Sequence, residues 1–85
     1  MATINVLYFA SLRETLGRGA ETLELPEGVA NLGDLKAYLV ARGGNWAALG
    51  TSKNLKMALN QTMATATAPI KAGDEVAFFP PVTGG

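Results

Sequence analysis

Residues 75–79 (EVAFF) form an apolar strand pattern that runs directly into Pro80-Pro81, with only six positions left in the 85-residue sequence. Proline has no N–H to offer a ladder, so the strand must stop there. A strand placed this late can be buried only by pairing with segments laid down much earlier in the chain. The best partner is residues 3–10 (TINVLYFA), rich in β-branched and aromatic side chains, with Ile4, Val6 and Tyr8 on one side of the pleat and Leu7 and Phe9 on the other. At 48% hydrophobic and 16% charged, the chain carries enough apolar side chain for one core, and its length is that of a single domain.

The segments between these strands follow in a readable order. Ser11 and Glu14 have the spacing of a capping box, and Gly17 is placed to end a helix of barely two turns. Residues 21–25 (ETLEL) alternate polar and apolar up to Pro26-Glu27-Gly28, as expected of a second strand folding back on the first. From Asn31 the period changes: Leu32, Leu35, Tyr38 and Leu39 fall at helical spacing, Asn31 and Asp34 can cap the start, and Gly43-Gly44 end it. Residues 45–52, with the only Trp, have no clear period and read as a loop with one helical turn. Leu55, Met57 and Leu59 alternate with polar or small residues, Asn60-Gln61 invites a tight turn, and residues 62–67 make a short fourth strand. Two strands, one main helix and three further strands specify an α+β layer of about five strands with the helix on one face. If the last strand lies parallel to the first, the helix occupies the right-handed crossover between them, which is the β-grasp arrangement.

Composition narrows the chemistry. Cysteine and histidine are both absent, which excludes disulfides, thiolate nucleophiles, Cys/His zinc sites and any imidazole base. Seven basic and seven acidic residues give zero formal charge, so no global field recruits nucleic acid or an anionic membrane. With no basic, apolar leader and no stretch of about 20 apolar residues, the protein is expected to be soluble and cytoplasmic. No phosphate-cradling glycine loop is present, so the chain alone is expected to bind no cofactor.

The chemically distinctive segment is Pro80-Pro81-Val82-Thr83-Gly84-Gly85. It has no hydrophobic period that would dock it, so residues 1–79 are expected to form the domain and residues 80–85 a flexible projecting tail. At about 3.3 Å per residue the tail reaches about 20 Å, enough to enter another protein's active site. Gly84 and Gly85 lack a Cβ, so a narrow channel can close around them and leave a terminal carboxylate unhindered. The prolines stiffen the root and reduce the entropy lost on insertion.

The residues Val6-Leu7-Tyr8-Phe9-Ala10 with Arg13-Glu14, then Asn60-Gln61-Thr62, and above all the run from Gly73-Asp74 through Phe78-Phe79-Pro80-Pro81 to Gly85 resemble the small, sulfur-carrier subunits of molybdopterin synthases, which are ubiquitin-like proteins. That resemblance implies that Gly85 is adenylated by a ubiquitin-activating-like adenylyltransferase using ATP and converted to a thiocarboxylate with sulfur from a donor protein. It further implies that the tail enters the large catalytic subunit, in a heterotetramer, and donates sulfur to cyclic pyranopterin monophosphate. The carrier itself would be non-catalytic. Two other readings compete: a related carrier or ubiquitin-like modifier serving another pathway, and a plain β-grasp interaction module. The thiamin-pathway carrier also ends in Gly-Gly, but the Phe78-Phe79-Pro80-Pro81 approach resembles the molybdopterin branch.

Strand parity assigns the remaining residues. Phe78 and Phe79 must point to opposite faces, so Val76 and Phe78 belong to the core while Phe79 joins Phe9 and Met63 in an apolar partner-binding patch near the tail root. Trp46 is expected to pack, and Asp34, Asp74 and Glu75 to serve as cap and turn residues.

Overall fold

The computed structural model describes residues 2–51 and 55–80. Five strands form one mixed sheet: β1 (Thr3–Tyr8), β2 (Ala20–Glu24), β3 (Lys56–Leu59), β4 (Thr62–Ala64) and β5 (Glu75–Phe79), in the order β2-β1-β5-β3-β4. The late strand takes the centre. β5 runs parallel to β1, with Val6 opposite Val76 and Tyr8 opposite Phe78, and antiparallel to β3, with Met57 opposite Phe78. β2 closes one side antiparallel to β1, with Ile4 opposite Leu23. The architecture is the α+β β-grasp expected from the element order.

The main helix, α2 (Leu32–Val40), covers one face. Asn31 caps it: its side-chain oxygen accepts from the Asp34 N–H at 2.8 Å, while the Asp34 carboxylate accepts from Ala30 N–H. Leu32, Leu35 and Leu39 are fully buried against Ile4, Val6, Tyr8, Val76 and Phe78, all at 1% exposure or less. Tyr38, placed with the helical apolar set by its spacing, is instead one of the exposed large side chains. A hydroxyl-bearing ring tolerates water, and its position lies off the arc of the three leucines. Beyond α2, Gly43 and Gly44 take positive φ, and a 3-10 turn (Gly44–Ala47) and α3 (Ala48–Thr51) bring Trp46 and Leu49 onto the core.

Several boundaries differ from the sequence pattern. β1 stops at Tyr8 because Ala10 adopts φ 53°, ψ −132° and turns the chain into α1 (Ser11–Leu16). The capping box is not made: Ala10 occupies the N-cap, no side chain caps the helix, and Ser11 is already its first residue. Gly17 does end α1 in the left-handed region, its N–H bonding the Arg13 carbonyl. β2 begins one residue earlier than its alternation suggests, and β4 ends at Ala64, not at Thr67. There the chain leaves the sheet and runs under α2, with Gly33 N–H bonding the Ala66 carbonyl and Leu32 N–H that of Ala68.

Candidate functional site

The end of β5 is where the chemically distinctive segment begins, and two different surfaces meet there. On the open face of the sheet, away from α2, parity lines up Leu7 and Phe9 with Ala77 and Phe79, and further out Ala58 and Met63. Phe79 is half-buried beneath Phe9, whose ring meets it edge-on with centroids 6.4 Å apart. Phe9 keeps this position although β1 has ended, because its N–H still donates to the Phe78 carbonyl at 3.1 Å. Phe9 is 48% exposed and Met63 59%. Of the three proposed patch residues, the structure therefore brings Phe9 and Phe79 into contact, while Met63 shares their face two strands away, opposite the buried floor residue Ala58. Pro80 follows half-exposed. Pro81, Val82, Thr83, Gly84 and Gly85 lie outside the described residues.

The helix side of the same end holds a polar knot that the sequence pattern does not announce. Tyr8, almost fully buried and stacked on Phe78, donates its hydroxyl to Glu21 Oε2 at 2.8 Å. Arg42 grips the same carboxylate with two nitrogens at 2.9 and 3.1 Å, and Arg18 stands 3.6 Å away. Trp46 meets Tyr8 edge-on at 5.5 Å, with the Arg42 guanidinium 4.5 Å above its ring and that of Arg18 at 5.7 Å. Trp46 is thus the packing residue expected.

Electrostatics follow from this geometry. Burial opposes ionisation of Glu21, but hydrogen bonds from Arg42 and Tyr8 outweigh it and hold the carboxyl below its ordinary range. Burial, reinforced by the adjacent Glu21 carboxylate, pushes the Tyr8 phenol far above its ordinary value. Neither group titrates near neutrality, so the knot is a fixed brace. The one available signal was that Glu21 shares strand parity with Leu23 and so faces inward.

At the opposite end of β5, the buried Asp74 ties the strand's start to the β3–β4 turn. It accepts from Asn60 Nδ2 at 3.1 Å and from the Lys71 N–H at 2.9 Å, and these bonds lower its pKa. Asn60 Oδ1 in turn accepts from the Glu75 N–H at 2.9 Å. Asp74 is the turn residue expected, and the bonds anchor the strand that leads to the tail.

A sequence model of the ThiS family matches residues 6–85. The chain belongs to the ThiS family. The molybdopterin synthase sulfur carrier subunit of Haemophilus influenzae is 39% identical over 82 residues, spanning 96% of this chain and 99% of that protein. Among solved structures, a putative molybdopterin converting factor subunit 1 from Pyrococcus furiosus superposes with a TM-score of 0.78 at 28% identity, covering 96% of this chain and all of the other. The small archaeal modifier protein 1 of H. volcanii is similar in the same way, at TM-score 0.76 and 27% identity over 96% of this chain and 100% of its own. Membership in the ThiS family agrees with the resemblance carried by the two ends and middle of the sequence, and the solved structures agree with the fold. Among the described residues no helix is long and apolar enough to cross a membrane.

Proposed function

We propose that this chain is the sulfur carrier of a molybdopterin synthase, non-catalytic on its own, and that its reactive atom is the Gly85 carboxyl carbon. The observation that carries this reading is the exit of the central strand: β5 ends at Phe79 against the exposed Phe9 ring, so whatever follows Pro80 starts beside an apolar, partly exposed face on a braced core. The kinship described above narrows the pathway.

A carboxylate resists attack because its leaving group would be oxide. Adenylation solves this: a Gly85 carboxylate oxygen attacks the α-phosphorus of ATP, pyrophosphate leaves, and the resulting acyl-adenylate can lose AMP when sulfur attacks the acyl carbon. An adenylyltransferase partner supplies the ATP site and a sulfur-donor protein the sulfur. The thiocarboxylate tail then enters the large catalytic subunit, in a heterotetramer, and passes its sulfur to cyclic pyranopterin monophosphate. Gly84 and Gly85 give the tail its slenderness, and Phe9, Met63 and Phe79 form the surface that seats the body against the partner.

Incubation with ATP, a cognate adenylyltransferase and a sulfur donor should add to the C-terminal peptide the mass gained when sulfur replaces oxygen. Deleting Gly85 should abolish that gain and leave thermal unfolding unchanged. Sulfur on any other peptide overturns the assignment. The structural likeness to an archaeal modifier favours a second reading, in which Gly85 forms isopeptide bonds with lysines of target proteins. Conjugates that accumulate with ATP in place of the thiocarboxylate would select it.

A further inference from the structure

Beside the proposed docking face the chain turns sharply, and it does so on an unfavourable residue. Ala10 stands at φ 53°, ψ −132°, the conformation of the first central position of a type II′ turn, where glycine is the usual occupant. The Leu12 N–H closes that turn on the Phe9 carbonyl at 3.1 Å. Elsewhere among the described residues positive φ falls on five glycines and on Asn60 and Gln61 of the β3–β4 turn. Asn60 gains side-chain bonds to Asp74 and Glu75 there. Ala10 gains nothing comparable: its methyl is exposed, so no burial offsets the crowding of its Cβ.

The strain is stored against Phe9. That residue is fixed over Phe79 from two sides, by its own N–H on the Phe78 carbonyl and by its carbonyl under the Leu12 N–H. The second bond is the only one on the peptide that joins Phe9 to Ala10, because the Ala10 N–H bonds no backbone carbonyl among the described residues. Relaxing Ala10 toward negative φ re-aims the chain between Phe9 and α1 and gives up the Leu12 bond. The Phe9 ring is then released from the half-buried ring beneath it.

We infer that Ala10 is the hinge of a strained latch: in the free domain Phe9 lies over Phe79, and a partner that takes Phe79 as its anchor selects the relaxed turn, in which Phe9 has swung aside. Ala10 is a positioning residue acting through Phe9. The inference rests on the proposed carrier role and deepens it by giving the docking face two states. Apparent affinity scales with the fraction of molecules already open, and the alanine keeps that fraction higher than glycine would.

The test is Ala10→Gly, read by urea unfolding and by titration with the cognate large subunit of molybdopterin synthase. Glycine accepts the turn without crowding, so the urea midpoint should rise while the dissociation constant weakens at least about threefold. In a Phe9→Ala background, where no ring covers Phe79, the same substitution should still raise the midpoint but leave the dissociation constant unchanged. Binding that is unchanged or tighter on Ala10→Gly in the otherwise native chain overturns the latch and leaves the docking face standing. Weakening that persists in the Phe9→Ala background makes the Ala10 methyl a partner contact and also overturns it. A midpoint that fails to rise does so too, because the turn then holds no strain. If the unsubstituted chain forms no complex, the carrier reading falls and takes the latch with it.

Discussion

Phe78 is fully buried beside Tyr8, whereas Phe79, its neighbour in sequence, lies half-exposed under Phe9 on the other side of the sheet. Truncating them should therefore separate two properties. Phe78→Ala leaves a cavity in the core and should cost about 3–5 kcal/mol in urea unfolding. Phe79→Ala should cost far less stability but, on the proposed docking role, weaken binding to the proposed large-subunit partner at least about tenfold, the loss of about 1.4 kcal/mol or more at an aromatic anchor. The opposite pattern would reverse the assignment of faces, and unchanged binding in both would remove the patch. Strand alternation alone made this division legible, because adjacent side chains of a strand cannot share a face. The brace behind it was less so. Arg18 and Arg42 come from loops far apart in sequence, and only the fold brings them to Glu21 and Trp46.

Periodicity located every strand and the main helix, while the places where elements stop depended on backbone conformations that composition does not report. Ala10 at φ 53° ends β1 and starts α1 without the expected cap, and its strained geometry is held by the Leu12 and Arg13 N–H bonds to the carbonyls of Phe9 and Ala10. The Asn60-Gln61 turn was legible as a turn, and both residues indeed take positive φ, at 51° and 70°. They differ in what their side chains do. Gln61 is exposed, so Gln61→Gly should relieve left-handed strain and raise stability by about 0.5–1 kcal/mol in denaturant titration. Asn60→Gly satisfies the same backbone yet deletes the bonds to Asp74 and Glu75, and should lower stability. If both variants behave alike, the side-chain tie to β5 contributes nothing.

Taken across the molecule, the two polar anchors set how stability depends on pH. Asp74 and Glu21 both titrate lower in the folded chain than when unfolded, so the unfolded state takes up protons first as pH falls. Stability should hold above about pH 5 and decline from about pH 4 downward. Asp74→Asn should lose stability at neutral pH and show a shallower acid decline. Tyr8 has the opposite sign: its folded pKa is raised, so its contribution is present below about pH 10 and disappears as pH rises further. Tyr8→Phe should flatten that alkaline limb, and urea midpoints measured across the range check both arms.

The central pairing of β1 with β5, Asn5 beside Glu75 and Tyr8 beside Phe78, has a consequence for biosynthesis. Neither half of the sheet can close around its core while the chain is still being made, since the strand that joins them is the last to emerge and the loop to be closed spans most of the sequence. Pro80 follows that strand directly, so a chain interrupted anywhere before residue 75 lacks the central strand that the two halves of the sheet share. Such a chain leaves β1 unpaired on one side and β3 on the other, and the apolar faces they carry stay open to water.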